Sequence, residues 1–124
     1  MNRALTPEES RLVRWMLEHG TSEALVFLPQ LGRLEVTPWR CPCGCASVKF
    51  QVIGQPEAPP GVHILGDFLV GHGEGLTGAF IYESGGLLSG LEVYGLAAEP
   101  PTTLPAIEDL RSLEDSAEVV TARQ

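Results

Sequence analysis

The sequence predicts an α+β domain in which two N-terminal helices pack on one face of an antiparallel, mostly meander sheet of about five strands. Helix-capping residues and helical apolar spacing occur near the N-terminus, whereas later segments alternate apolar and polar residues. The clearest strand pair, residues 76–96, is divided by Gly85-Gly86, which favours a two-residue type I′ hairpin. Residues 1–113 are predicted to form this single domain, followed by a mobile acidic tail at 114–124.

Two helices are predicted before the first strand. Thr6 and Glu9 have the spacing of a capping box, and Pro7 occupies the first helical position. This helix is expected to end near His19. A second helix is expected over residues 22–31, shortened or bent at Pro29 because proline clashes with the preceding helical turn.

The strands are predicted from their alternating side chains. Before the hairpin they cover residues 33–39, 47–53 and 62–70. With the register that a two-residue turn imposes, Phe80 and Tyr82 share a core face with Leu91 and Val93. The other face carries Ile81, Glu83, Leu88, Glu92 and Tyr94.

The charge distribution restricts the classes of partner. The net charge is −8, and no Lys or Arg occurs between Lys49 and Arg111. A phosphate backbone would be repelled, so the sequence predicts no nucleic-acid binding. No run of about 18 apolar residues is present, so no membrane span is predicted. The clustered, odd number of cysteines and the absence of an apolar leader favour the cytoplasm.

The leading functional hypothesis is a non-enzymatic protein-binding module for a basic protein, similar in action to small immunity or inhibitor proteins. Electrostatic attraction would guide the partner to an apolar contact surface. The predicted surface comprises Trp39, Ile81, Glu83, Leu88, Glu92 and Tyr94. A further strand, a loop or the C-terminal tail are alternative occupants of this face, and a homodimer is a further option for the chain. The acids alone would also keep the chain in solution.

The first alternative is a metal site, with zinc as the candidate ion. Cys41, Cys43 and Cys45 alternate with Pro42 and Gly44, which allow the chain to bend and the thiols to converge. Zinc prefers four ligands, so His63 is predicted as the fourth ligand, with His72 as another option. Because zinc sites usually contain C-x₂-C pairs, the alternatives of a dense structural connection or a reactive thiol stay open.

The second alternative is a small enzyme with a histidine–carboxylate site. His63 and Asp67 lie on one side of the third predicted strand if no bulge intervenes, and Glu83 or Glu92 would lie nearby. Such a site suits general-base chemistry. No nucleophile motif and no phosphate-binding loop accompany it.

Two resemblances accompany these patterns. The CPCG segment resembles the start of the zinc-binding C-x-C-G-S-G tail motif of the SecA translocase ATPase, although Cys45 replaces the serine and the later ligand pair is missing. CPCGC together with LEVYGL and the later LPAIEDL is similar to a set of small uncharacterised bacterial proteins. This second resemblance implies a bacterial cytoplasmic protein, and it carries over no activity or functional residue.

Overall fold

The computed structural model describes residues 1–113; the predicted tail lies outside the described residues. The elements are β1 (Arg3–Ala4), α1 (Pro7–Glu18), a 3₁₀ helix (Ala24–Arg33), β2 (Leu34–Val36), β3 (Val48–Val52), β4 (His63–Val70), a 3₁₀ turn (Gly73–Gly75), β5 (Thr77–Ser84), β6 (Leu87–Gly95), a 3₁₀ turn (Ile107–Asp109) and β7 (Leu110–Ser112). The predicted α+β class is confirmed.

The sheet has seven strands in the order β1-β2-β3-β6-β5-β4-β7, and the neighbouring strands are antiparallel. The prediction of about five strands is wrong because it lacked the two edge strands, β1 and β7. These contain two and three residues, too few to show an alternating pattern. Two runs of consecutive neighbours, β1-β2-β3 and β4-β5-β6, are joined by the β3–β6 pair.

The first helix begins as local sequence signals predict, whereas the second begins at Ala24, two residues later than expected and without a side-chain cap. Thr6 Oγ1 accepts a hydrogen bond from Glu9 N at 3.1 Å, and Glu9 Oε1 accepts one from Thr6 N at 2.8 Å, which completes the capping box. The second helix is a 3₁₀ helix that contains Pro29. Both helices contribute to the core, through Leu12, Val13, Met16, Leu17, Ala24 and Leu31.

The hairpin turn forms as predicted, but its register changes within the strands. Gly85 and Gly86 have φ values of 63° and 86°, as a type I′ turn requires. A bulge at Ser89 then shifts the pairing by one residue, so that Tyr82 lies opposite Gly90. A Cβ at position 90 would lie 2.5 Å from the hydroxyl oxygen of Tyr82, so glycine makes room for this ring.

The bulge decides which hairpin residues are buried. It moves Leu91 and Val93 to the side of Ile81 and Leu88, and all four belong to the core. Ile81 and Leu88 are each 0% exposed, so the prediction that they lie on a binding surface is wrong. Phe80, predicted in the core, lies on the opposite face of the sheet and is partly exposed. A register slip of one residue reverses the side of every later side chain.

A second bulge, in β4, lets the end of α1 approach the sheet closely. Leu65 is the extra residue, and its carbonyl oxygen accepts a hydrogen bond from Thr21 N at 2.8 Å. A Cβ at Gly20 would collide with this same carbonyl oxygen. At Gly66 a Cβ would lie 3.2 Å from the Cα of Gly20, at the end of the helix, and 2.9 Å from the Phe68 ring. Glycine is therefore needed at these two positions because the helix and the sheet approach each other closely, and not because the backbone turns there.

Candidate metal centre

The three cysteines lie on a tight turn between β2 and β3. The Gly44 N–H donates to the Cys41 carbonyl oxygen at 3.0 Å, which closes a four-residue turn with Pro42 in its second position. Gly44 has a φ of 84°, a value that glycine adopts without a steric penalty. The turn brings alternate side chains to one side, as the sequence predicts for this segment.

The thiols of Cys41, Cys43 and Cys45 form a cluster. Their three Sγ atoms all lie within 4.8 Å of one another. The Sγ atoms of Cys41 and Cys43 are 3.0 Å apart, and the Cys45 N–H donates to Cys43 Sγ at 3.3 Å. All three cysteines are free, with Cys43 exposed and the other two partly buried. Three thiols at these distances are able to bind one metal ion together.

The cluster is attached to the sheet through Ser47. The Cys45 thiol donates to Ser47 Oγ at 3.3 Å, and Ser47 Oγ accepts from the Val93 N–H in β6 at 3.0 Å. The next residue, Ala46, donates its N–H to the Pro101 carbonyl oxygen at 2.9 Å. The third cysteine is consequently held by two distant parts of the chain, a property that the local motif does not reveal. In the sequence, the only sign of this role is that Ser47 lies two residues after Cys45 and so continues the alternate spacing of the cysteines.

The thiols differ in acidity. Hydrogen bonds to the Cys41 and Cys45 side chains raise the pKa of Cys43 to about 11. Burial alone would raise the pKa of Cys45, but hydrogen bonding of its thiolate form with Ser47 and the other two cysteines outweighs burial and lowers that pKa to about 7. Near neutral pH, Cys45 therefore supplies a thiolate more readily than Cys43 does.

Cys41 and Cys45 also line a cleft of about 820 Å³. Its walls come from the N-terminal segment, the β2–β3 connection and the segment before β7. One wall holds the Arg3–Glu9 ion pair, in which Arg3 Nη1 lies 2.8 Å from Glu9 Oε1. Trp39 and Arg40 line it as well. The cysteine cluster thus borders a space that a small external molecule can enter.

His63 lies in a different group of side chains. Its Nδ1 is 2.6 Å from Glu83 Oε2, and its Nε2 is 3.4 Å from Glu23 Oε1. The hydrogen bond with Glu83 raises the pKa of His63, with a further contribution from Glu23. Within residues 1–113, the cysteine group contains no histidine or carboxylate. The structure does not bring the predicted fourth ligand to the thiols.

The β4 bulge separates His63 from Asp67, two residues of the predicted enzyme site. His63 lies opposite Glu83, whereas Asp67 lies opposite Phe80 on the other face of the sheet. The Asp67 carboxylate accepts a hydrogen bond from the Tyr94 hydroxyl at 2.6 Å. His63 and Asp67 were expected to share one side of the strand only without a bulge, and that condition is not met, because the extra residue reverses the alternation. Glu23, which sequence reasoning missed, joins His63 through the fold alone.

The remaining residues of the predicted partner-binding surface do not lie together on one face of the sheet. Glu83 lies on the helix-covered side, where it binds His63 and accepts the Gly86 N–H at 2.9 Å. Glu92 and Tyr94 lie on the opposite face and are partly buried. The ring of Trp39 contacts the Lys49 ammonium, with Nζ 4.8 Å from the ring centroid.

None of the helices within residues 1–113 combines the length and apolarity that crossing a bilayer requires. The chemistry of the site follows from the residues of this chain alone, since the chain matches no protein-family model, no curated protein and no solved structure at a significant level.

Proposed function

We propose that this protein binds a thiophilic metal ion, with Zn²⁺ as the leading candidate, through Cys41, Cys43 and Cys45. The observation that carries the proposal is the convergence of three Sγ atoms within 4.8 Å of one another. Thiolates select soft or borderline ions such as Zn²⁺ and Cu⁺ over the oxygen-preferring Mg²⁺ and Ca²⁺.

The spacing of the thiols suits such an ion after a small adjustment. With Zn–S bonds of about 2.3 Å, tetrahedral ligands lie about 3.8 Å apart. Cys41 and Cys43, now 3.0 Å apart, would separate slightly to receive the ion. The hydrogen bond between Cys45 and Ser47 keeps the third ligand attached to β3 and β6 while the exposed Cys43 adjusts.

Three thiolates leave one position of a tetrahedral zinc ion open. Among the described residues no fourth protein ligand joins the cluster. Structural zinc sites are closed by four protein ligands, whereas sites with three keep a position for water or another molecule. Because two of the cysteines line the cleft, the open position is expected to be available to an external ligand.

The test is metal binding by the reduced full chain. Native mass spectrometry and competition with a chromophoric chelator should show one Zn²⁺ ion per chain. Replacement of Cys43 by serine should weaken binding by about tenfold or more, since it removes one of three ligands. Circular dichroism of each variant would separate loss of a ligand from loss of folding.

The matched control is His63→Ala. It should bind zinc as the unaltered protein does, because His63 is engaged by Glu83 and Glu23 away from the thiol group. Bare polypeptide in the native spectrum after exposure to Zn²⁺, or equal zinc uptake by a variant with all three cysteines replaced by serine, would contradict the proposal.

A second candidate function is the docking of a basic partner on the sheet face opposite the helices. Phe80 and Tyr94 form an aromatic contact there, with ring centroids 6.0 Å apart, and Glu92 lies directly opposite Phe80. Charge complementarity supports a cationic partner, since the chain between Lys49 and Arg111 contains no basic lysine or arginine. This surface retains Glu92 and Tyr94 from the sequence prediction.

An oligo-arginine peptide provides the probe for this second function. Its affinity should fall with added salt, and Glu92→Gln should weaken it about two- to fivefold, the usual range for one exposed charge pair. Glu18→Gln, on the exposed side of α1, is the matched control and should have little effect. Equal losses in both variants would show general charge attraction rather than docking on this face.

A further inference from the structure

The Sγ atoms of Cys41 and Cys43 lie 3.0 Å apart, close enough for a contact between the two sulfur atoms. A disulfide requires an S–S distance of about 2.05 Å, so the two atoms need to approach by about 1 Å. Both residues lie in the same turn, which the Gly44-to-Cys41 backbone hydrogen bond closes. The approach therefore needs side-chain rotation and no rearrangement of the sheet.

The third thiol is held differently. Cys45 Sγ contacts Ser47 Oγ at 3.3 Å, and Ser47 is itself bound to β6. Cys43 is exposed, whereas Cys45 is partly buried. Cys43 is consequently the cysteine most accessible to an external oxidant, and the Cys41 thiol lies 3.0 Å from it.

We propose that Cys41 and Cys43 form a reversible intramolecular disulfide in the metal-free protein and so constitute a site of oxidative modification. With glutathione disulfide as oxidant, the thiolate of one of these two cysteines attacks one sulfur and releases one glutathione thiolate. The thiolate of the other cysteine then attacks the protein sulfur of the mixed disulfide and releases the second glutathione. The two protein thiols lose two electrons and two protons, and glutathione disulfide gains them.

The disulfide would also control metal binding, and this part rests on the proposed metal site. Oxidation converts two of the three thiolate ligands into a disulfide and leaves Cys45 alone. One cysteine does not make a zinc site, so the oxidised chain should not retain the ion. Conversely, a bound ion occupies the thiolates that would react with the oxidant. Metal loading and disulfide formation are therefore mutually exclusive states of one cluster.

The disulfide is tested on the metal-free, reduced full chain treated with glutathione disulfide. Titratable thiols should fall from three to one per chain, and the intact mass should fall by two hydrogen atoms. Fragmentation should place the link between Cys41 and Cys43. Cys45→Ser should still form the link, whereas Cys43→Ser should not lose two hydrogens and should stop at glutathione adducts.

Several results would overturn the proposal. A link that includes Cys45, glutathione adducts without an internal link, or disulfides between two chains would each be incompatible with it. If Cys45→Ser does not fold, Cys45→Ala provides the same test. Zinc uptake is measured separately on the reduced protein. If the disulfide forms but zinc is not bound, only the proposed metal function is contradicted. If zinc is bound but the disulfide does not form, only the proposed disulfide is contradicted.

Discussion

Replacing Leu88 with alanine tests the structural consequence of the hairpin bulge. The register that the turn alone predicts places Leu87 with the core and Leu88 on the surface. The structure has Leu88 fully buried and Leu87 partly buried. Because the two residues are adjacent and chemically identical, Leu88→Ala and Leu87→Ala form a matched pair.

The expected cost follows from the burial of Leu88. Its exposed fraction is 0%, so truncation removes a fully enclosed side chain. Such leucine-to-alanine changes cost about 2–5 kcal/mol. For 124 residues, the unfolding entropy is about 0.26 kcal/mol/K, so a loss of about 3 kcal/mol would lower Tm by roughly 11 °C. Leu87→Ala should cost about 1 kcal/mol, since Leu87 only borders the core.

Urea denaturation, followed by far-ultraviolet circular dichroism and by tryptophan fluorescence, gives the free energy of unfolding. Equal slopes for the two variants would show that the difference reflects stability rather than the denatured state. The reasoning would be refuted if Leu87→Ala destabilised the protein as much as Leu88→Ala or more.

Further predictions concern the helix–sheet contact, the thiols and the histidine. Gly20→Ala should lower the free energy of unfolding by about 1–3 kcal/mol, because its Cβ meets a rigid strand carbonyl oxygen. Gly32→Ala, with no atom near the added Cβ, should change it by about 0.5 kcal/mol or less. Zinc affinity, measured by chelator competition, should rise by at least about tenfold per pH unit from pH 7 to 9, because zinc must displace at least the proton of Cys43, whose pKa is raised to about 11. In an NMR titration, Glu83→Gln should lower the raised pKa of His63. The stabilisation by this pair is full below the ordinary histidine pKa and disappears as pH rises through the raised value.

These predictions would be contradicted by distinct results. Gly20→Ala as stable as Gly32→Ala would remove the role assigned to the close helix–sheet approach. A zinc affinity independent of pH would mean that no thiol proton is displaced. An unchanged histidine titration in Glu83→Gln would show that this carboxylate does not stabilise the imidazolium.

The features predicted best from sequence depend on neighbouring residues. The capping box uses contacts over three residues, between Thr6 and Glu9. The hairpin turn depends on the positive φ of Gly85 and Gly86. In both cases the residues that determine the structure lie within three positions of one another in the sequence, so no distant contact is needed to favour it.

The features predicted poorly depend on residues that are distant in sequence. The bulge at Ser89 accompanies the placement of the Tyr82 ring over Gly90, and the bulge at Leu65 accompanies its hydrogen bond with Thr21. An alternating pattern records only a period of two and contains no information about one extra residue. For that reason local reasoning did not identify the buried side of the hairpin, and it left the relation of His63 to Asp67 dependent on whether a bulge intervenes.

The sequence by itself determined the α+β class, the first helix cap, the Gly-Gly turn and the presence of three thiols in one short segment. Only the tertiary structure decided which hairpin face is buried, that His63 pairs with Glu83 and Glu23, and that Ser47 attaches the third thiol to β6. The physical reason is the range of the interactions. Caps and turns are stabilised within a few residues, whereas bulges, packing and site anchoring require the remainder of the chain to be in position.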